Sequence, residues 1–134
     1  MRYLLDTNIC IYLIKNRPPE VLESFRKHSP EDVAISAITL FELEYGVQKS
    51  RAPERSKSAL AKFLLSLNLI EFDPFAASDA AAIRAKLEKQ GTPIGPFDLL
   101  IAAIARSRDM ILVTNNIREF SRIEGLQTEN WVEA

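Results

Sequence analysis

Four short apolar segments recur along the chain, and segments with a helical apolar pattern separate them. The candidate strands are Tyr3–Leu5, Val33–Ile38, Leu69–Asp73 and Met110–Thr114, and Leu126–Trp131 offers a further edge strand. Strands that alternate with helices favour right-handed crossovers and a mostly parallel sheet that is covered on both faces. The sequence therefore predicts an α/β fold: an α/β/α sandwich around a central, mostly parallel sheet of four to five strands.

Seven helices are predicted between and after these strands, bounded by prolines, glycines and polar capping residues. They span Ile9–Lys15, Glu20–His28, Leu40–Ser50, Glu54–Leu67, Pro74–Gln90, Phe97–Arg108 and Ile117–Ser121. Thr7 and Asn8 are expected to cap the first helix, and Thr39 is expected to cap the third. His28 is expected to act as a C-terminal cap of the second, where a helix dipole favours a cation.

Length and composition place the chain among ordinary globular domains. Its 134 residues predict a single domain over residues 1–134. With 17 basic and 18 acidic residues the net charge is −1, so nucleic-acid binding would depend on local basic patches. A single cysteine excludes an internal disulfide and a cysteine-based zinc site. The sequence has no signal-peptide pattern and no apolar run of membrane length, so we expect no membrane association and a cytoplasmic location.

Acidic and amide side chains follow three of the predicted strands. Asp6 ends the first strand, Glu42 lies one turn into the helix after the second, and Asn116 follows the fourth with Glu119 one turn on. Parallel strands present their carboxyl ends at one edge of the sheet, where open α/β folds bind ligands. These side chains are therefore expected to meet at that edge.

Asp98 joins this group only if its helix begins at the same edge. The loop Thr92–Pro96 allows this, because the long preceding helix can cross back. Clustered carboxylates without histidine or cysteine suit Mg²⁺ or Mn²⁺ rather than zinc. A cation held in this way can polarise a phosphoryl group and activate water, which points to metal-assisted phosphodiester hydrolysis.

Structural roles compete with this interpretation. Thr39 and Glu42 have the spacing of a capping box, and Asp98 could be an acid favoured by the helix dipole. Asp6 could end a strand and cap the next helix, although Thr7 and Asn8 could do that equally well. The roles of Asn116 and Glu119 stay open.

Four motifs in order resemble those of the PIN-domain ribonucleases and, within them, the VapC toxins of bacterial toxin–antitoxin pairs. They are LLDTNI at Leu4–Ile9, TLFELEYG at Thr39–Gly46, GPFDLLIAAIA at Gly95–Ala105 and LVTNNIREF at Leu112–Phe120. Each motif alone is weakly specific, whereas four at suitable spacing over nearly the whole chain are highly specific.

The resemblance implies a set of site residues. It makes Asp6, Asp98 and Glu42 the metal-binding acids, with Mg²⁺ as cofactor and Mn²⁺ as a possible substitute. The catalytic set is completed by Asn116, which stands where the family usually has an acid, or by Glu119. Thr7, Asn8 and Thr114 look like the family's polar support residues, and Lys15, Arg17, Lys49 and Arg51 are candidates for RNA phosphate contacts.

The implied function is that of a type II toxin: a metal-dependent endoribonuclease that cleaves structured RNA and is inhibited by a cognate VapB-type antitoxin. A homodimer and a toxin–antitoxin hetero-oligomer are implied as well. The GPFD sequence at Gly95–Asp98 is similar to that of members acting on the anticodon loop of initiator tRNA. Two alternatives are a non-catalytic PIN-like module that binds RNA or a partner, and a nuclease acting on DNA; the short chain argues against the latter.

Overall fold

The computed structural model describes residues 2–132. Its strands are β1 (Tyr3–Leu5), β2 (Val33–Ser36), β3 (Asn68–Ile70), β4 (Ile111–Val113) and β5 (Gln127–Glu129). Its α-helices are α1 (Thr7–Ile14), α2 (Pro19–Arg26), α3 (Ala37–Lys49), α4 (Pro53–Leu64), α5 (Pro74–Lys89), α6 (Pro96–Ser107) and α7 (Ile117–Phe120), and a 3₁₀ helix spans Pro30–Asp32. The predicted elements are all present, with ends that differ by a few residues.

The strands form one parallel sheet in the order β3-β2-β1-β4-β5, so the first strand lies at its centre. Leu4 lies between Ala34 and Leu112, and Leu5 lies between Ile35 and Val113. The predicted parallel α/β/α sandwich is confirmed. Because β1 is the central strand, the residue that follows it, Asp6, lies at the middle of the carboxyl edge.

Alternate residues of the strands pack into two cores, one on each face of the sheet. Leu4, Ala34 and Leu112 pack with α5 and α6 on one face. Leu5 and Ile35 pack on the other face with helices α1 to α4. Strands buried on both faces are characteristic of parallel sheets and explain their nearly continuous apolar sequence.

Two helices begin earlier than predicted, and this corrects both capping assignments. Asp6, rather than Thr7 or Asn8, is the N-cap of α1: the Ile9 backbone N–H donates to its Oδ1 at 2.9 Å. Ser36, rather than Thr39, is the N-cap of α3, since its Oγ accepts from the Thr39 N–H at 3.0 Å. Strand β2 stops sooner than its apolar sequence suggests, whereas β1 ends where predicted, and each helix starts at the first side-chain acceptor after its strand.

His28 does not cap a helix, because α2 already ends at Arg26. Its ring packs with two aromatic rings that also contact each other: it lies 4.4 Å from that of Tyr3 and is stacked 5.1 Å from that of Trp131. Trp131 is buried, and its indole N–H donates to Glu129 Oε1 at 2.9 Å. This stack fixes the segment after β5 against the start of β1. Within the described part of the chain, no helix is long and apolar enough to span a membrane.

Candidate active site

Three of the predicted site residues follow neighbouring central strands at the carboxyl edge. Asp6 follows β1 directly, Glu42 lies in the second turn of α3 after β2, and Asn116 precedes α7 after β4. The Asp6 backbone N–H donates to the Val113 carbonyl at 3.0 Å, which extends the pairing of β1 with β4 by one residue. The topology therefore brings these three side chains to one region of the sheet edge.

Asp98 reaches the same edge because α6 runs back towards the start of β4. Helices α5 and α6 are antiparallel: the Arg106 guanidinium binds both carboxylate oxygens of Asp79, at 2.9 and 2.7 Å, and Arg108 lies 3.3 Å from Asp73 at the start of α5. Asp98, in the first turn of α6, is thereby placed at the opposite end from Arg108. The antiparallel packing of α5 and α6 therefore brings Asp98 back to the carboxyl edge, where the sequence analysis had relied on the loop Thr92–Pro96.

Asp6 is a buried carboxylate, with 5% of its surface exposed. Burial raises its pKa above the ordinary value, and the nearby charge of Glu42 raises that pKa further. Interactions with the Thr114 side chain and with the backbone N–H groups of Ile9 and Asn8 act in the opposite direction. Hydrogen-bond donors thus stabilise the charged form of Asp6, while the charge of Glu42 destabilises it.

Glu42 is fixed by a hydroxyl group of another helix. The Thr7 hydroxyl donates to Glu42 Oε1 at 2.6 Å, and Thr7 Oγ1 lies 3.2 Å from the hydroxyl of Thr39. Because α3 begins at Ala37, Glu42 is the sixth residue of the helix and cannot complete a capping box with Thr39. The structural alternative for Glu42 is therefore excluded, and its carboxylate is oriented towards α1.

Asp98 is half-buried and has the most perturbed carboxyl group of the site. Burial raises its pKa to about 6, and the charges of Glu119, Asp6 and Glu42, in that order, contribute to the increase. The carboxylates of Glu119, Asp6 and Glu42 are therefore close enough to oppose the charge of Asp98. A helix-dipole acid would be stabilised in its charged form, whereas the raised pKa of Asp98 shows that repulsion and burial dominate.

Glu119 and Asn116 act as a hydrogen-bonded pair. The Asn116 side-chain amide donates to Glu119 Oε2 at 2.7 Å, and the Gly95 backbone N–H donates to Glu119 Oε1 at 3.2 Å. The Asn116 backbone N–H in turn donates to Thr114 Oγ1 at 2.9 Å. Glu119 therefore ties the end of β4 to the loop that precedes Asp98, and its charge reaches Asp98.

Two exposed phenylalanines join the helices that carry the acids. Phe41 precedes Glu42 and Phe97 precedes Asp98, and their rings meet edge to face with centroids 5.5 Å apart. Edge-to-face pairs are favourable beyond the apolar area that they bury. This contact fixes α3 against the start of α6 at the rim of the site.

The donor set suits a hard divalent cation, although the side chains do not form a preassembled metal cage. Over residues 2–132, no three His, Cys, Asp or Glu side chains lie together closely enough to bind an ion as they stand. Asp6, Glu42 and Asp98 nevertheless offer carboxylate oxygens, and their mutual repulsion is what a bound cation would relieve.

The remaining predicted residues lie around this centre. Thr114 is buried next to Asp6, and Asn8 is exposed in the first turn of α1. Lys15 and Arg17 are exposed beyond the far end of α1 from Asp6, whereas Lys49 ends α3 and Arg51 follows it. Thr39 and Ser36 were not predicted as site residues. The N-cap preference of serine is the signal that could have located Ser36.

A parallel sheet with acids gathered at its carboxyl edge is the arrangement that the sequence motifs implied. The family model described as "PIN domain" matches residues 3–126. The chain therefore belongs to the PIN domain family.

Two curated relatives and a solved structure match the chain over almost its full length. The tRNA(fMet)-specific endonuclease VapC of Shigella flexneri is 47% identical over 131 residues, covering 98% of both chains. Ribonuclease VapC2 of Haemophilus influenzae is 47% identical over 132 residues, covering 98% of this chain and 99% of the relative. Among solved structures, DNA-bound VapBC from Salmonella typhimurium has a chain with a TM-score of 0.93 and 45% identity, with 98% of each chain covered. The resemblance stated from the sequence motifs is confirmed.

Proposed function

We propose that this protein is the toxin of a type II toxin–antitoxin pair and acts as a metal-dependent endoribonuclease. The observation that carries the proposal is that Asp6, Glu42 and Asp98 all lie at the carboxyl edge of the sheet. There Thr7 orients Glu42, and burial and the neighbouring acids raise the pKa of Asp98 to about 6. Perturbed titratable groups that cluster at the carboxyl edge of a parallel sheet are typical of functional sites. The names of the VapC relatives supply the reaction class.

The acids Asp6, Asp98 and Glu42 would hold Mg²⁺, with Mn²⁺ as a substitute. When bound, the ion would stabilise negative charge on the phosphoryl oxygens and lower the pKa of a coordinated water. Asn116 and Glu119 would complete the site, either directly or by fixing the loop before Asp98. The Asn116 side-chain amide is already engaged with Glu119, which favours a positioning role for that pair.

The residues of the chain would orient the substrate and the attacking water. Thr7 fixes Oε1 of Glu42 and leaves Oε2 of that carboxylate to a water or an ion. In the proposed hydrolysis, the water oxygen bonds to phosphorus in line with the leaving group, and the bond from phosphorus to O3′ breaks. The products carry a 5′-phosphate and a 3′-hydroxyl, so the 2′-hydroxyl is not the nucleophile.

The proposed substrate is structured RNA, with the anticodon loop of initiator tRNA as the leading candidate. The Shigella flexneri relative is named for tRNA(fMet), and the GPFD sequence at Gly95–Asp98 belongs to the site. Loop nucleotides that are not stacked in a helix can be splayed out, so that their backbone reaches the acids at the carboxyl edge of the sheet. Lys15, Arg17, Lys49 and Arg51 stay as candidates for phosphate contacts.

The proposed partner is a VapB-type antitoxin that blocks the site, in a complex that also contains a toxin homodimer. The Salmonella typhimurium chain is part of a VapBC complex bound to DNA, which is the support for this assembly. With a net charge of −1, the present chain has no bulk attraction for DNA. In such a complex, DNA contacts would therefore be supplied by the antitoxin. We place the protein in the cytoplasm, where its RNA substrate is found.

Cleavage of purified initiator tRNA tests the proposal. Wild-type protein free of antitoxin should cut one tRNA in Mg²⁺ or Mn²⁺ and should not cut it in EDTA. Asp6→Ala should be inactive, whereas Asp32→Ala, which changes an exposed acid at the end of the 3₁₀ helix before β2, should cut like wild type. Folded wild-type protein that cuts no RNA with either metal would contradict the proposal and favour the non-catalytic binding module.

A further inference from the structure

Within residues 2–132, nothing in the structure requires residue 46 to be a glycine. It lies inside α3, where glycine is less favourable than alanine because of its backbone entropy. Among the glycines, the positive φ angles that favour glycine occur at Gly91 and Gly125 instead. A Cβ built at Gly46 meets no atom of the described chain within 4 Å. Neither backbone conformation nor internal packing therefore explains this residue.

Helical spacing places Gly46 on the same flank of α3 as Glu42 and Lys49. Residues four and seven positions apart lie on one side of a helix, about 6 and 10 Å along its axis. Helical side chains also lean towards the N-terminus, so a side chain at position 46 would lie over the turn that carries Glu42. The missing side chain leaves the approach to Glu42 open.

Lys49 provides a positive charge at the end of this flank. It is the last residue of α3 and is exposed, and its Nζ lies 5.0 Å from the centroid of the Tyr45 ring. A cation over an aromatic ring is held in place while its remaining donors stay available. Along this flank of α3, the acid Glu42 is thus followed by Gly46, which has no side chain, and then by the cation Lys49.

We propose that the RNA backbone runs along this flank of α3, with Gly46 allowing close approach and Lys49 binding a phosphate next to the scissile one. The proposal rests on the proposed function, because Glu42 belongs to the site where the phosphodiester is cut. Glycine is the residue that lets a ligand backbone come close to a protein backbone. Because Lys49 is positively charged and RNA phosphates are negatively charged, this flank of α3 is better suited to RNA than to an apolar protein segment.

The proposal makes opposite predictions for stability and for RNA binding. Gly46→Ala should raise the midpoint of thermal unfolding by a few degrees, because alanine is the better helix former. Gly46→Gln should weaken RNA binding by roughly ten-fold or more, because its side chain fills the approach. Gly46→Ala should weaken binding less. Ala77→Gln, which adds the same side chain at an exposed position of α5, should bind RNA like wild type.

Binding should be measured by fluorescence anisotropy with a labelled anticodon stem-loop RNA in EDTA, so that cleavage does not interfere. Lys49→Gln should also reduce the salt dependence, lowering the slope of log K against log salt by about 0.7. Lys27→Gln, an exposed lysine after α2, serves as its control.

Two results would overturn the proposal while leaving the proposed function intact. One is a wild-type protein that cleaves the RNA in Mg²⁺ while Gly46→Gln binds that RNA as tightly as wild type. The other is unchanged RNA binding combined with altered self-association of Gly46→Gln in light scattering, which would assign the flank to a second copy of the chain. Wild-type protein that neither binds nor cleaves RNA would overturn the proposal and the proposed function together.

Discussion

The Thr7 hydroxyl donates a 2.6 Å hydrogen bond to Glu42 Oε1 and thereby links the first turn of α1 to the second turn of α3. The two residues are 35 positions apart in the chain and follow neighbouring strands, β1 and β2. Glu42 is therefore oriented by a residue adjacent to Asp6. The positions of two candidate acids are coupled through this bond.

Removing the Thr7 hydroxyl should release Glu42. Thr7→Val keeps the shape of the side chain but cannot donate, so we expect RNA cleavage to fall by roughly 10–100-fold, as for other residues that orient metal ligands. Thr7→Ser should retain most of the activity, because it keeps the donor. Single-turnover cleavage rates at saturating Mg²⁺ measure the effect. Equal rates for Thr7→Val and wild type would show that Glu42 needs no such support.

Asp98 should control the acidic limb of the pH profile. Burial and the neighbouring acids raise its pKa to about 6, and the carboxylate form is required to hold a cation. Cleavage should therefore rise with pH through about 6 at low Mg²⁺. The limb should move to lower pH as Mg²⁺ increases, because the cation favours the charged form. A limb that stays in place over a wide range of Mg²⁺ would contradict this role.

The same group should make the metal-free protein less stable as pH rises. The pKa of Asp98 is about 6 in the folded state, against about 4 in an unfolded chain. Between these values the folded state binds more protons, so stability should fall as pH increases from about 4 to about 6. Asp98→Asn should weaken this decrease and raise the midpoint of thermal unfolding at pH 7 in EDTA. Asp32→Asn, at an exposed position, is the control.

Mg²⁺ should stabilise the folded protein through the acid cluster. A ligand that binds only the folded state raises its stability with concentration, and here it would also cancel the repulsion that acts on Asp98. The midpoint of thermal unfolding should therefore rise when Mg²⁺ replaces EDTA, and the increase should be lost in Asp6→Asn. The same increase in wild type and in Asp6→Asn would mean that the ion binds elsewhere.

Asn116→Asp tests why an amide occupies a position that is usually acidic in the family. The Asn116 amide donates to Glu119 at 2.7 Å, so a carboxylate there would lose the donor and face a like charge. We expect the free energy of unfolding in EDTA to decrease by about 1–3 kcal/mol. Mg²⁺ should restore part of this loss if the new carboxylate joins the metal site. Urea unfolding with and without Mg²⁺ measures both effects.

The fold was predictable from sequence because its signals are local. Apolar segments such as Tyr3–Leu5 alternate with helical segments, and the parallel sheet follows from that alternation. The helix starts were predicted less well. Ser36 and Thr39 are both good N-cap residues, and the choice between them depends on where β2 stops pairing with its neighbours, which is a property of the sheet.

The site shows the same division. That Asp6 and Glu42 lie at the sheet edge follows from the strand order, whereas the approach of Asp98 depends on the antiparallel packing of α5 and α6. The contact between Thr7 and Glu42 and the pairing of Asn116 with Glu119 are side-chain events between distant segments. No periodicity in the sequence encodes them.

The central position of β1 has a consequence for the synthesis of the protein. Its residues leave the ribosome more than a hundred residues before one of its two neighbours, β4, which begins only at Ile111. Asp6 therefore cannot make its backbone hydrogen bond to Val113 of β4 until more than a hundred further residues have been made. Because such distant pairings form late, a partly synthesised chain would have no assembled acid cluster. The strand order itself delays the assembly of this candidate site until β4 has been made.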